Sequence, residues 1–547
     1  MPRQPLPAPS RSTRRAAKAT NQPPSGSRGA HREAPRRSVR PSSQRMDSVD
    51  AALLRMDCAS NLMLVIGVWI FKPAIAYGAL FQRLQDRLRV HPRFFQRVEQ
   101  NATGAIWVHD RNFDLRRHLL LERLPVPADG AQRALQDRLA ELAMLPLDPD
   151  RPLWQFHLIE RYQGGSALLL RIHHCIGDGM ALLAVARSLM DGHVASTAPA
   201  EGSDETDPGW ETWISDKLVR PLADASVRGI GLAANAAAAT MGLIADPRSG
   251  FDRGLAGSAR VARLVYQGLN DAAALALMDD DSPSRLKGEP GHHKRVAWCA
   301  GISLDDLKAV GTALGCSVND IMLSCVAGAL RSYLGADGDA STDREIRAMV
   351  PVNLREPGPA VPLGNRFGLA PVLLPVGIDH PLERLYEIRR RMRALKGSMQ
   401  PLLAYWLLAA AGLLGKQVED AIVGVFAHKT TAVVTNVAGP CEPLQLLGAS
   451  LVQGLFWVPQ SASVALGVSI FSYSGRVQFG IISDSVLCPD PDNIVAAIEP
   501  EFTKLAMLSL MLPPAGRDGL AHPPAPSPAS AGRRTSPVAV RRRPPVP

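Results

Sequence analysis

The sequence predicts an α/β protein of two strand-and-helix halves joined by a helical connector, with disordered basic termini. Three observations predict it. Apolar runs of strand length alternate with segments of helical spacing on both sides of the chain's middle. The middle itself, 200–289, turns to an acidic loop followed by Ala- and Gly-rich helical sequence. Both ends are rich in Pro, Ser, Gly and Arg and carry almost no large apolar residue, so they cannot offset the entropy of ordering. A chain of 547 residues with 46% hydrophobic and 20% charged content has ample material for buried cores between those ends.

In chain order, Asn61 to Phe71 (NLMLVIGVWIF) is a β-branched apolar run suited to a buried strand. Ala74 to Val90 has helical spacing and stops at His91-Pro92. Ala131 to Met144 reads as a helix, and Pro152–Glu160 and Ser166–Ile172 as strands. The connector carries helical sequence at 223–244 and 255–278. In the second half, strands are expected at Arg295–Ile302, Arg347–Pro351, Ala370–Pro375, Ala432–Val437, Ser463–Tyr473 and Arg476–Ile482. Helices are expected at Ser303–Leu314, Asn319–Leu334, Pro381–Ser398 and Asp492–Met511. The resulting division is a basic tail at 1–45, a first domain at 46–199, the connector at 200–289, a second domain at 290–512 and a Pro/Arg-rich tail at 513–547. Two halves of similar size imply a ligand cleft at their interface.

The formal net charge of +10 suggests nucleic-acid binding until it is divided along the chain. Residues 1–45 hold 11 Lys/Arg against one Glu, and 513–547 hold six Arg against one Asp, which leaves the body acidic. The basicity therefore belongs to the tails. It implies attraction to anionic membrane surfaces or polyanions rather than a specific nucleic-acid interface.

No stretch reaches the roughly 18 apolar residues of a membrane span. Pro401 to Gly415 comes nearest and reads as a buried or an interfacial helix. The N-terminus lacks the apolar run of a secretory signal, which makes a cytoplasmic address the expectation. Seven cysteines without a CxxC pair fit reduced thiols better than a disulfide framework.

The strongest local signal is Arg171 to Gly179, RIHHCIGDG. A strand ends on His173 and His174, a turn follows at Gly177, and a helix starts near Asp178 and Gly179. Imidazole titrates near neutrality and can take a proton from a hydroxyl or an amine without a metal. Adjacent residues on a strand face opposite ways, so one histidine of the pair can meet a substrate while the other supports the fold. That geometry, with no HExxH and no carboxylate cluster, gives no metal site. Asp178 suits helix capping or pairing with a cation. Cys175 is a nucleophile candidate that reads better as a small core residue. No GxSxG elbow and no Walker loop accompanies these residues.

HHCIGDG matches the HHxxxDG signature of CoA-dependent acyltransferases, and further segments narrow the resemblance. Met46 to Leu54 (MDSVDAALL) resembles the opening of the bacterial wax ester synthase/diacylglycerol acyltransferases, and Asp150 to Trp154 their PLW motif. Ser317 to Asp320 (SVND) resembles their ND motif, and Pro351 to Arg355 (PVNLR) their PVSxR strand. Gly364-Asn365 and Thr435 to Pro440 (TNVAGP) resemble the GN and SNVPGP elements, and FGIISD, ending at Asp484, the terminal strands. The resemblance spans about 46–511, with these motifs in the family's order. It begins almost at Met46, which suggests that translation starts there.

The resemblance implies a two-domain, chloramphenicol-acetyltransferase-like sandwich with an interface tunnel. It implies fatty acyl transfer from acyl-CoA, a co-substrate rather than a cofactor, to diacylglycerol or to a long-chain fatty alcohol. His174 becomes the general base, with no covalent acyl-enzyme, and His173 braces the strand end. Asn319 is the candidate oxyanion donor, with simple helix capping as its alternative. Asp178, paired to Arg355, holds the turn; Gly179 and Asp320 support the local backbone; Trp154 supports the channel wall. Peripheral contact with a membrane or lipid droplet follows from the apolar acceptor. Two other readings stay open: a condensation-type acyltransferase fed by a carrier-protein thioester, and a non-catalytic lipid-droplet-binding protein.

Overall fold

The computed structural model describes residues 43–101, 104–125, 130–192, 278–335, 344–355, 361–396, 398–413, 416–460 and 463–511. The connector helices expected at 223–244 and 255–278 lie outside these residues, save residue 278. So do both tails, save 43–45, which form strand β1 (Ser43–Arg45) beside β4 (Gly104–His109) and β3 (Gln96–Asn101).

The first half is built on β2 (Leu64–Lys72), β5 (Leu119–Glu122), β6 (Trp154–Tyr162) and β7 (Gly165–His173). β2 and β7 are apolar along nearly their whole length because helices cover both faces of their sheet. Leu64, Ile66, Val68 and Ile70 pack with Leu135 and Leu139 of α3 (Ala131–Ala143). On the other face, Leu168, Leu170 and Ile172 pack with Val185 and Leu189 of α4 (Gly179–Leu189). Among the described residues the other α-helices of this half are α1 (Ser48–Arg55) and α2 (Tyr77–Arg87).

The second half is built on β8 (Lys294–Trp298), β9 (Ile302–Ser303), β10 (Ile346–Asn353), β11 (Phe367–Leu374), β12 (Ala432–Ala438), β15 (Leu466–Tyr473) and β16 (Arg476–Asp484). They form one sheet in the order β11-β10-β12-β15-β16-β8, with β9 also on β16. Its core is completed by α5 (Leu304–Leu314), α6 (Val318–Gly335), α7 (Pro381–Lys396) and α10 (Pro491–Met511). α6 is apolar around most of its circumference and buried accordingly. Arg384 and Glu501 form an ion pair inside this core, and the remaining Arg384 donors reach the carbonyls of Ser324, Ile378 and Asp379.

One strand pair crosses between the halves. β13 (Gln445–Leu446) and β14 (Ala449–Trp457) follow β12 in sequence yet complete the first sheet, whose order is β13-β14-β2-β7-β6-β5. β14 runs antiparallel to β2 with a register shift between Leu451 and Gln453. That irregularity, together with Gly454, breaks the alternation that would have marked β14 as a strand in the sequence.

Two further helices bridge the halves: α8 (Gln400–Leu413) and α9 (Lys416–His428). α8 packs between α1 and β11, and glycines permit it. A Cβ at Gly412 would overlap the Ser48 carbonyl oxygen, and one at Gly368 would overlap that of Pro401. Arg55 closes the far end of α8 by donating to the carbonyls of Ala411 (3.0 Å) and Gly412 (3.1 Å). Among the described residues no single helix is long and apolar enough to cross a membrane, and all seven cysteines are unpaired.

Candidate active site

The His173-His174 pair sits where β7 ends and a single 3₁₀ turn, His174–Ile176, leads into α4. The strand end is fixed on both sides. His173 lies opposite Leu64 on β2, its N–H donates to the Leu153 carbonyl (2.9 Å), and the N–H of His174 donates to the Met63 carbonyl (2.7 Å). His173 Nδ1 accepts the N–H of Cys175 (3.2 Å), so the proton of its ring belongs on Nε2, which faces the Asp57 carboxylate at 3.5 Å. The two rings serve different surroundings. His174 lines a cavity at the seam of the halves and His173 does not.

The turn is knitted to distant segments. Asp50 of α1 is fully buried and accepts from Arg93 (2.7 Å), from the N–H of Asn365 (3.1 Å) and from Asn365 Nδ2 (2.9 Å). Asn365 Nδ2 also donates to the His174 carbonyl (2.7 Å), and Arg93 to the carbonyls of Cys175 (3.3 Å) and Ile176 (3.2 Å). Burial pushes the Asp50 carboxyl above its ordinary value against the pull of Arg93 and Asn365. Gly364, at φ +120°, lets its chain run beside Gly177, and its carbonyl accepts the N–H of Asp178 (3.3 Å).

Asp178 performs both tasks its type suits. Its Oδ1 caps α4 by accepting the N–H of Ala181 (3.0 Å). Its Oδ2 accepts from Arg355 Nη2 (2.7 Å) and from the N–H of Arg366 (2.9 Å). Gly179 opens α4 and lines the cavity. Asp320 closes a reciprocal capping box with Ser317: its carboxylate accepts the Ser317 N–H (3.0 Å), and its own N–H donates to Ser317 Oγ (3.2 Å).

Three expectations change in detail. The cap of α6 is Ser317, so Asn319 does not serve as one. Asn319 is also not among the residues lining the cavity. Its Oδ1 accepts from Nδ2 of Asn436 (3.0 Å), and Asn436 stands in the wall. Trp154 lies away from the cavity: it is fully buried, donates through Nε1 to the Phe94 carbonyl (2.9 Å) and stacks on His118 with centroids 4.6 Å apart. Its position opposite Ile172 makes it a support for the strand that ends on the histidines. Cys175 is wholly buried in the first core.

The cavity holds about 220 Å³ and is walled mainly by hydrocarbon from both halves: Leu53, Met63 and Met180 from the first, Phe367, Leu408 and Val433 from the second. The polar groups in its wall include His174, Asp178, Asn353, Arg366, Thr435 and Asn436. Burial holds the His174 imidazole below its ordinary value, and the smaller upward pull of Asp178 does not reverse it, so the ring is neutral at neutral pH. It packs on Phe367, centroids 5.4 Å apart. The buried Nδ1 of His174 and the buried Oδ1 of Asn365 each have no hydrogen-bond partner among the described residues, and Asn365 acts on the ring to favour its protonated form. The arrangement offers a neutral base, an amide donor and an apolar enclosure. Among the described residues no group of three or more His, Cys, Asp or Glu side chains is placed to hold a metal ion.

Residues 46–322 match the catalytic-domain model of wax ester synthase/diacylglycerol acyltransferases, and residues 363–506 match the C-terminal-domain model of the same family. The chain belongs to this family. It is an acyltransferase of the wax ester synthase/diacylglycerol acyltransferase type. A Mycobacterium tuberculosis protein named as a probable diacylglycerol O-acyltransferase is 28% identical over 475 residues, which cover 85% of this chain and 96% of that protein. The wax ester synthase/diacylglycerol acyltransferase of Marinobacter aquaeolei VT8 superposes with a TM-score of 0.57 at 22% identity, covering 85% of this chain and all of that one. The first condensation domain of a calcium-dependent antibiotic synthetase gives 0.52 at 15% identity, over 87% of this chain and 97% of that one, a likeness of fold alone.

Three contributors to the site escaped the sequence. Asp50 and Asn365 stand in segments that carried the resemblance, yet nothing in their local pattern announces a partner more than three hundred residues away. Arg93 lies in no motif, and its role appears only once the fold brings it under the turn.

Proposed function

We propose that the enzyme transfers a fatty acyl group from acyl-CoA to diacylglycerol, to a long-chain alcohol, or to both, with His174 as general base. The observation that carries this reading is the placement of one neutral imidazole in the wall of an apolar cavity at the seam of the two halves. With the ring proton on the buried Nδ1, the lone pair of Nε2 takes the hydroxyl proton of the acceptor as its oxygen attacks the thioester carbonyl. The second hydrogen of the Asn436 amide, whose first is given to Asn319, donates to the developing oxyanion. Collapse of the tetrahedral intermediate breaks the C–S bond, and the CoA thiolate recovers the proton from the imidazolium, leaving ester and free thiol. The chain uses no metal or other cofactor in this scheme.

The acceptor is delivered from a lipid surface that the protein touches and does not span. Helix α8 supports this. Leu408 lines the cavity, while Trp406 and Leu413 of the same helix are 56% and 72% exposed, with Lys416 just beyond its end. An aromatic and apolar face flanked by a cation is the pattern of interfacial helices. The function is tested by incubating the full chain with radiolabelled acyl-CoA and either diacylglycerol or hexadecanol. Labelled neutral ester in one or both supports the reading. Its absence from both, with transfer from an acyl carrier protein thioester instead, overturns it.

A further inference from the structure

At the far end of β2 from His174, strands of both sheets line a cleft of about 470 Å³, the size that takes a small molecule. It shares no wall residue with the cavity at His174. β2 measures the separation. Leu64 at its start lies opposite His173, and Lys72 at its end stands in the cleft wall, roughly 25 Å away at about 3.3 Å per residue.

The cleft is cationic. Lys72 and Arg476 are both exposed in its wall, and among the described residues no carboxylate lines it. Arg476 donates through Nε to the Ala300 carbonyl (3.4 Å) and through Nη2 to that of Gly301 (2.6 Å), bonds that fix the guanidinium without neutralising it. Gln132 of the wall lies in the first turn of α3, which brings the positive end of that helix to the same place. Two cations and a helix start suit an anion that accepts from several donors at once, as a phosphate does.

Gln478 adds a second requirement. It is only 3% exposed and stands in the cleft wall, yet its buried Oε1 has no hydrogen-bond partner among the described residues. Gln453 beside it is satisfied, donating to the Cys299 carbonyl (3.2 Å). Buried polar atoms are nearly always paired, so the Gln478 oxygen calls for a donor from outside the chain. An ammonium would be repelled by Lys72 and Arg476, which leaves a hydroxyl. Ser474, held at φ +47° in the turn between β15 and β16, adds its own hydroxyl to the wall.

We propose that this cleft is a second binding site, for a phosphate ester that carries hydroxyl groups, with Lys72 and Arg476 on the phosphate and Gln478 Oε1 accepting from a hydroxyl. The site is separate from acyl transfer and does not depend on it. A free polyol phosphate and a phospholipid headgroup share this chemistry.

The test measures binding to the full chain by calorimetry with glycerol 3-phosphate and inorganic phosphate, and by co-sedimentation with phosphatidylcholine vesicles with and without phosphatidylglycerol. Lys72→Ala combined with Arg476→Ala changes exposed positions and is expected to weaken binding of the favoured probe by about tenfold or more. Gln478→Leu keeps the volume and is expected to weaken glycerol 3-phosphate while leaving inorganic phosphate unchanged. The double variant carries the test if Gln478→Leu does not fold. A loss confined to glycerol 3-phosphate assigns the site to a soluble ester, and one confined to phosphatidylglycerol vesicles assigns it to a headgroup; either supports the proposal. Binding of both probes that is absent from the parent, or untouched by the double variant, overturns it. Acyl-CoA affinity should be the same in parent and double variant; its loss would make the cleft part of the substrate site and overturn the proposal as well.

Discussion

Asp178 and Arg355 stand 177 positions apart in the chain and 2.7 Å apart in the fold, with both side chains only 8% exposed. One follows the histidine strand of the first half, and the other follows β10 of the second. Their contact closes the seam beside the His173-His174 turn, and the Nη groups of Arg355 also donate to the Pro362 and Gly364 carbonyls at the same point. The pair thus holds His174 in place through the backbone rather than by touching reacting atoms.

Asp178→Asn leaves the buried guanidinium without its counter-charge and is expected to cost about 3 to 5 kcal/mol of stability. Denaturant unfolding measures it. Removing both charges in Asp178→Asn with Arg355→Met should recover part of the loss. An inactive Asp178→Asn enzyme with unchanged stability would instead assign the carboxylate a chemical role.

The pH dependence follows from the buried imidazole. The folded value of His174 lies below the ordinary 6.5, so the acid limb of kcat/KM should have its midpoint below that pH. The stability sign agrees. Because the native state resists protonation of this ring, its contribution is whole above about 6.5 and is lost as the pH falls below that. A rate profile over the acid range checks the first statement, and unfolding at matched pH checks the second.

Asn436→Ala is expected to lower kcat by about 10² to 10³ with little change in KM, the signature of a lost oxyanion donor. Asn319→Ala should cost less, since it frees the Asn436 amide without removing it. Steady-state kinetics of both variants decide the order, and a larger loss at Asn319 would reverse the assignment.

Replacing Trp406 and Leu413 by Ser should weaken co-sedimentation with lipid vesicles at high salt, where attraction by the basic tails is screened. Activity toward a short, water-dispersed alcohol should change little. Equal vesicle binding by the variant and the parent would remove α8 from the lipid contact.

The elements that sequence located best are those whose burial is simple. β2, β7 and α3 have the apolar runs and spacing their environments demand, and the expected boundaries differ from the observed ones by a few residues. The opening strand begins at Leu64 rather than Asn61 because Cys58 and Asn61 pair across a turn. β14 was illegible for two reasons: a register shift and Gly454 spoil its period, and no local signal says that a strand late in the chain joins the sheet of the first half. The site divides the same way. HHxxxDG displays His174 and Asp178 in seven consecutive positions, whereas the brace of Asp50, Arg93 and Asn365 is assembled from three separated segments. The placement of Asn436 in front of Asn319 depends on how β12 and α6 pack, which one-dimensional spacing does not carry.

The most direct test of the account is the rate of acyl transfer by His174→Ala, measured with radiolabelled acyl-CoA and the better acceptor, alongside acyl-CoA binding and melting temperature. The account predicts a fall of about 10² to 10⁴ in kcat with binding and melting retained. A folded His174→Ala protein that turns over at the parent's rate would contradict it.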